Sequence, residues 1–202
     1  MAKYSLFKQA PGQPVTVTLP DWVESLVQWD QPYQDDQAKM ALAIELSKQN
    51  VLRGTGGPFG TAIFDRATNL LLGVGVNRVV PHSNSTLHGE TVAIMHAEQA
   101  LGHFSLASTT GRELFTSCEP CAMCLGAVLW SGVNRLVCAG VAADARAIGF
   151  DEGPVFAQSY QYLENAGIEV VRGFMQPEAK AVLDFYASSG GRIYNGTDTP
   201  QS

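Results

Sequence analysis

The chain has 202 residues and is 46% hydrophobic, enough for one domain with one core. Its net charge is −6 and its 13 Lys and Arg residues are scattered, so no basic footprint for nucleic acid stands out. No apolar run reaches the roughly 18–20 residues of a membrane span. The first ten residues also lack the apolar stretch of a secretory signal, so the expected setting is the cytoplasm.

Residues 1–34 read as an extension packed on the domain, with a short helix marked by Trp22, Leu26 and Trp29 at helical spacing. The domain itself spans 35–202. A helix is expected over 35–50, followed by strands over 59–64 and 70–76 that form an antiparallel hairpin turning at 65–69. After a polar loop at 81–86 come a helix over 88–101, ended near Gly102, and a strand over 113–117. A helix over 121–130 ends at Ser131-Gly132, and a buried strand covers 136–141. A helix over 155–165, a strand over 169–174, a helix over 177–188 and a C-terminal tail complete the chain. This alternation predicts an α/β fold, with helices on both faces of a mixed, mostly parallel five-stranded sheet.

Three of the four cysteines, Cys118, Cys121 and Cys124, lie three residues apart, and Cys138 follows. Such clustering points to metal or redox chemistry, not to a disulfide framework. Two pieces carry the metal reading: His88-Gly89-Glu90 opens one helix, and Pro120-Cys121-Ala122-Met123-Cys124 opens another. A catalytic zinc takes three protein ligands from Cys sulfur and His nitrogen and keeps one position for water. His88, Cys121 and Cys124 match that count. The two cysteines are one helical turn apart, at a helix N-terminus that favours thiolate over thiol. Glu90 lies beside the ligand histidine without being a ligand, where a carboxylate can move protons between water and substrate.

His96-Ala97-Glu98 repeats the His-x-Glu pattern in mid-helix, so His96 is expected in the core or on the surface, with a supporting position near the site as the alternative. Cys118 as a fourth ligand would close the zinc site and make it structural. The preferred reading is a small buried residue lining the pocket, with Cys138 as core.

The paired His88-Gly89-Glu90 and Thr116-Ser117-Cys118-Glu119-Pro120-Cys121-Ala122-Met123-Cys124 segments resemble the cytidine-deaminase-like zinc deaminases that act on free bases and on tRNA adenosine. The likeness covers about residues 35–195. Further segments resemble long-form bacterial guanine deaminases that also accept the triazine ammeline. These are Gly56-Gly57-Pro58-Phe59-Gly60, Asn77-Arg78-Val79-Val80-Pro81, Trp130-Ser131-Gly132, Ile148-Gly149-Phe150-Asp151-Glu152-Gly153-Pro154 and Ile193-Tyr194-Asn195.

The resemblance implies a three-layer α/β/α sandwich, a homodimer and one zinc per subunit. It implies that Asn77 binds the base edge, that Phe59 stacks on the ring opposite His88, and that Glu152 is a second catalytic acid. It makes Trp130 a pocket-wall aromatic and puts Tyr194 on a tail that closes the site. Each has a plainer alternative: turn chemistry at Asn77-Arg78, core at Phe59, a solvated loop at Asp151-Glu152-Gly153, and a buried helix end at Trp130. Gly89 departs from the guanine deaminase pattern toward fungal cytosine deaminase, and its missing Cβ suggests extra room beside the base.

The expected reaction is hydrolysis of guanine to xanthine and ammonia. Cytosine and ammeline are the alternatives, with tRNA adenosine less favoured because the last helix carries a single Lys and no Arg. Outside enzymes, a structural-zinc interaction protein completed by Cys118 is the competing class; a thiol redox pair at Cys121 and Cys124 is disfavoured by the adjacent His88-Gly89-Glu90.

Overall fold

The computed structural model describes residue 12 and residues 14–197; the remainder of the extension and residues 198–202 lie outside the described residues. In chain order the helices are α1 (Trp22–Leu26), α2 (Asp36–Leu52), α3 (Val79–His82), α4 (Gly89–Leu101), α5 (Ala122–Ser131), α6 (Ala142–Ala147), α7 (Ala157–Asn165) and α8 (Gln176–Ser188). The strands are β1 (Gly60–Asp65), β2 (Leu71–Val76), β3 (Arg112–Cys118), β4 (Arg135–Gly140) and β5 (Glu169–Val171).

The sheet order is β2-β1-β3-β4-β5. β1 is antiparallel to both β2 and β3, whereas β3, β4 and β5 pair in parallel. Four strands therefore run one way and β1 alone runs back. The sheet is mixed and mostly parallel, as the alternation predicts.

Period-two alternation splits the core into two layers. Ala62, Phe64, Phe115, Val137 and Ala139 meet α2 and α8 on one face. Ile63, Leu114, Leu136 and Cys138 meet α4, α5 and α7 on the other. Helix ends follow their punctuation. Asp35 caps α2 by accepting from the Ala38 N–H at 2.8 Å. Gly102 and Gly132 end α4 and α5 in the left-handed region, at φ 64° and 84°. Val23 and Val27 are buried against the α2 layer, and Leu19, Trp22, Leu26, Trp29 and Tyr33 pack on the same cluster.

The structure differs from the expected elements in four places. The helix of the extension stops at Leu26, and Trp29 packs from the loop beyond it. The segment expected as a polar loop begins with α3, closed by Ser83 in the left-handed region. α6 was not expected, since six residues of Ala-Ala-Asp-Ala-Arg-Ala carry too little apolar period to announce a helix. It is held from outside: Asp144 accepts from the Val141 N–H, and Glu119 accepts from the Ala142 N–H. Finally, β5 ends at Val171, because Arg172 turns to pair with Glu119 and Gly173 has φ 75°.

The reversed β1 matters for the site. Its start at Phe59-Gly60 lies level with the ends of β2 at Val76, β3 at Cys118 and β4 at Gly140. One edge of the sheet thus gathers Phe59, Asn77, Cys118-Glu119 and the loop into α6. In α/β sheets the crevice beyond the strand C-termini is where ligands bind.

Candidate active site

His88 is the N-cap of α4 and Cys121 the N-cap of α5, both in extended conformation. Cys124 is buried in the first turn of α5. The ligand atoms of His88, Cys121 and Cys124 lie within 4.8 Å of one another, and His88 Nδ1 is 3.5 Å from Cys121 Sγ. A tetrahedral zinc, with Zn–N near 2.0–2.1 Å and Zn–S near 2.3 Å, separates such a pair by about 3.5 Å. The donor set therefore fits zinc through His88 Nδ1 and the two sulfurs.

Electrostatics agree with this use. The hydrogen bond from Cys124, opposed by burial and helped by His88, draws the Cys121 thiol down to about 4. Burial disfavours the charged His88 imidazole, but Cys121, Glu90 and Glu152 together outweigh it and raise its pKa. Glu90 and Glu152 both feel the Cys121 charge. Glu90 is 5% exposed, and burial, then the Cys121 charge, raises its pKa. Glu152 is 6% exposed, and the same two causes, with Glu90 third, push it up to about 8.

A cavity of about 290 Å³ opens on this cluster, at the small end of the range for small-molecule pockets. His88, Glu90, Cys121 and Glu152 line it together with Phe59 and Tyr194. The loop bearing Glu152 is fixed from two sides. The Ala122 N–H of α5 donates to the Glu152 carbonyl at 3.0 Å, and the Asp151 N–H donates to Asn195 Oδ1 at 2.9 Å. Phe150 sits edge-on to both Phe59 and Tyr194, with ring centroids 5.0 and 5.1 Å apart. The tail residues Tyr194, Asn195 and Gly196 form one wall.

Asn77 is fully buried next to this space and absent from the cavity lining. Its Oδ1 accepts from the Val79 N–H at 3.3 Å, while its Nδ2 has no protein partner among the described residues. A buried amide donor without an acceptor is costly unless a ligand supplies one.

Three expectations need correction. Trp130 is 84% exposed and does not line the cavity of its own chain. It lies nine residues beyond Cys121, about 13 Å along α5. Gly89 makes no room for substrate: a Cβ there would point at Thr61 Oγ1, 3.2 Å away, and at the Phe59 backbone. Cys118 is buried but does not line the cavity; it packs with Ala145, Phe150, Leu183 and Tyr186, and its Sγ lies 3.8 Å from the Val141 carbonyl.

His96 stays apart from the three-ligand group, in the middle of α4. Phe150, Glu119 and Asn195 line the cavity without having been singled out, although all three lie inside segments that carried the resemblance. Glu119 is buried against the α6 N–H and Arg172.

Because Cys118 lies outside the donor set, Cys118→Ser is expected to retain one zinc per chain by elemental analysis. Loss of the metal in that variant would mean a closed, four-ligand site.

The comparisons with known proteins point the same way. Residues 33–140 match the family described as cytidine and deoxycytidylate deaminase zinc-binding region. The guanine deaminase of Bacillus subtilis (strain 168) is 35% identical over 116 residues, covering 57% of this chain and 71% of the relative. A guanine deaminase structure from Nitrosomonas europaea matches with TM-score 0.82 at 38% identity, over 87% of this chain and 97% of that one. A structure in complex with 2,6-diaminopurine matches with TM-score 0.83 at 39% identity, over 90% and 97%. Among the described residues no helix is long and apolar enough to cross a membrane. The family match spans more than half of the chain and contains His88, Cys121 and Cys124, so this protein belongs to the cytidine and deoxycytidylate deaminase zinc-binding family.

Proposed function

We propose that the chain hydrolyses the exocyclic amine of free guanine, giving xanthine and ammonia, as a cytoplasmic homodimer. The observation that carries the substrate assignment is the pair of buried carboxyl groups, Glu90 and Glu152, in a small aromatic-walled cavity at the three metal donors. The relatives named guanine deaminase and the one bound to 2,6-diaminopurine support the same choice.

His88, Cys121 and Cys124 would hold zinc, which when bound would supply a Lewis acid that makes water nucleophilic near neutral pH. Phe59 and the His88 imidazole hold the flat ring between them. Asn77 Nδ2 donates to an acceptor on the base edge. Glu90 takes one proton from the attacking water and returns it to the ring, Glu152 delivers a proton to the departing amine as the C–N bond breaks, and the added hydroxyl gives up its proton to restore Glu152. Tyr194, Asn195 and Gly196 wall one side of the cavity, a small space suited to a free base. The dimer reading rests on Trp130, a large aromatic left 84% exposed at the end of α5, and a monomer in sedimentation would remove it.

An ammonia-release screen over guanine, cytosine, adenine, ammeline and a tRNA anticodon stem-loop tests the assignment, with guanine expected to be turned over best. Glu152→Gln should depress guanine turnover while zinc content stays at one per chain. Release from cytosine or the stem-loop, but not from guanine, would show the substrate to be wrong.

A further inference from the structure

We infer that Trp22, Thr55 and Asn50 form a hydrogen-bonded brace by which the N-terminal segment positions Asn77 for the base. The inference rests on the assignment of Asn77 as the base-binding amide.

Asn50 lies near the end of α2 with no exposed surface. Its Nδ2 donates to two backbone carbonyls, Gly57 O at 2.8 Å and Asn77 O at 3.0 Å. Its Oδ1 is 2.8 Å from Thr55 Oγ1, which in turn lies 3.1 Å from Trp22 Nε1. The direction of this chain follows from its inner end. Gly57 O and Asn77 O can only accept, so Asn50 turns its NH₂ toward them and presents Oδ1 to Thr55, whose hydroxyl donates there. The Trp22 indole N–H, which can only donate, takes a free lone pair of the same hydroxyl. One hydroxyl thus links the buried Asn50 amide, which holds the residue after β2, to the indole of the segment before α2.

One carbonyl is that of Asn77 itself, and the other, Gly57 O, also accepts from Phe59. Asn77 is clamped on both sides of its main chain: its N–H donates to Phe59 O at 3.0 Å, and its carbonyl accepts from Asn50. Phe59 in turn donates its N–H to Gly57 O at 2.9 Å. The approach is too close for a side chain at position 56, where a Cβ would lie 1.9 Å from Asn77 O and 2.6 Å from Asn50 Nδ2. Arg78 adds a second tie by donating to the Thr55 carbonyl. Trp22 itself is held by its neighbours: Val23 is buried in the α2 layer, and the Arg53 guanidinium lies 5.8 Å from the indole ring. A rigid first partner is what lets Asn77 Nδ2, otherwise unpaired, meet a substrate acceptor without first being ordered. Trp22, Thr55 and Asn50 are positioning residues; none of them lines the cavity.

The test compares Thr55→Val, which removes the hydroxyl at constant shape, with Thr55→Ser, which keeps it, and with Trp22→Phe, which keeps the ring but not the N–H. Each is made in the full chain and assayed for guanine turnover, zinc content and thermal midpoint. Thr55→Val and Trp22→Phe are expected to raise KM for guanine roughly three- to tenfold, with a smaller change in kcat and with zinc retained. Thr55→Ser should match the unmutated chain. In an Asn77→Ala background, assayed at raised enzyme concentration, Thr55→Val should produce no further loss of kcat/KM. A Thr55→Val enzyme with unchanged KM and kcat, whatever its thermal midpoint, overturns the inference. So does an equal loss with and without Asn77. An unmutated chain that does not turn over guanine strikes the substrate assignment itself, and the inference falls with it.

Discussion

Glu90→Gln is expected to fold, to keep one zinc per chain, and to lose about 10²–10⁴-fold of its turnover. Glu90 stands in the first turn of α4, two residues after His88, and it lines the cavity without belonging to the donor set. Gln preserves its size and its capacity to hydrogen-bond but cannot carry a proton at neutral pH. The loss should therefore fall on kcat, with metal content unchanged. Elemental analysis beside steady-state ammonia release checks both halves. Near-normal turnover in a zinc-loaded Glu90→Gln enzyme would move the proton transfer elsewhere. The next carboxyl group in the cavity is Glu152; Glu98, the acid of the second His-x-Glu, does not line it.

The second large effect concerns stability and lies at the opposite end of the sheet. Glu113, near the start of β3, has a side chain 3% exposed and pairs with Lys39, itself 5% exposed, and with Arg135 Nη1 at 2.9 Å. Arg135 also pairs with Asp36 at 2.6 Å and with Glu169 at 2.9 Å. Among the described residues the Lys39 ammonium also donates to Asn69 Oδ1 at 2.7 Å. Glu113→Ala leaves the Lys39 ammonium buried without a counter-charge, a change that costs about 3–5 kcal/mol. In a chain of this size that lowers the thermal midpoint on the order of 10 °C. Denaturant or thermal unfolding measures it, and a loss under about 1 kcal/mol would show that water reaches Lys39. Glu113 lies five positions before Cys118 along β3, roughly 17 Å away, so kcat of the folded fraction should stay unchanged.

The zinc ligands and Glu90 were legible in the sequence because their chemistry demands fixed local spacing. Cys121 and Cys124 must be one helical turn apart to share a metal, and an acid two residues from His88 is held beside it by the same helix. The strand and helix order was legible for a related reason, since apolar period reports burial along a single element. Residues whose position depends on a distant segment were not legible in this way. The direction of Trp130 is set by which side of α5 packs on the sheet, and the neighbour of Gly89 is Thr61 on β1. α6 exists because Glu119 and Asp144 satisfy its first N–H groups, not because its six residues favour a helix. Phe150 joins the cavity wall through contacts with Phe59 and Tyr194, some 90 and 44 residues away along the chain. Asn50 reaches Asn77 across 27 residues, and Lys39 reaches Glu113 across 74. Residue type at helical or strand spacing was enough to read the metal donor set, the acid beside it and the class of fold. Which side chains face the cavity and which brace it follows from tertiary packing, because a hydrogen bond or an ion pair between remote segments leaves no period in either of them.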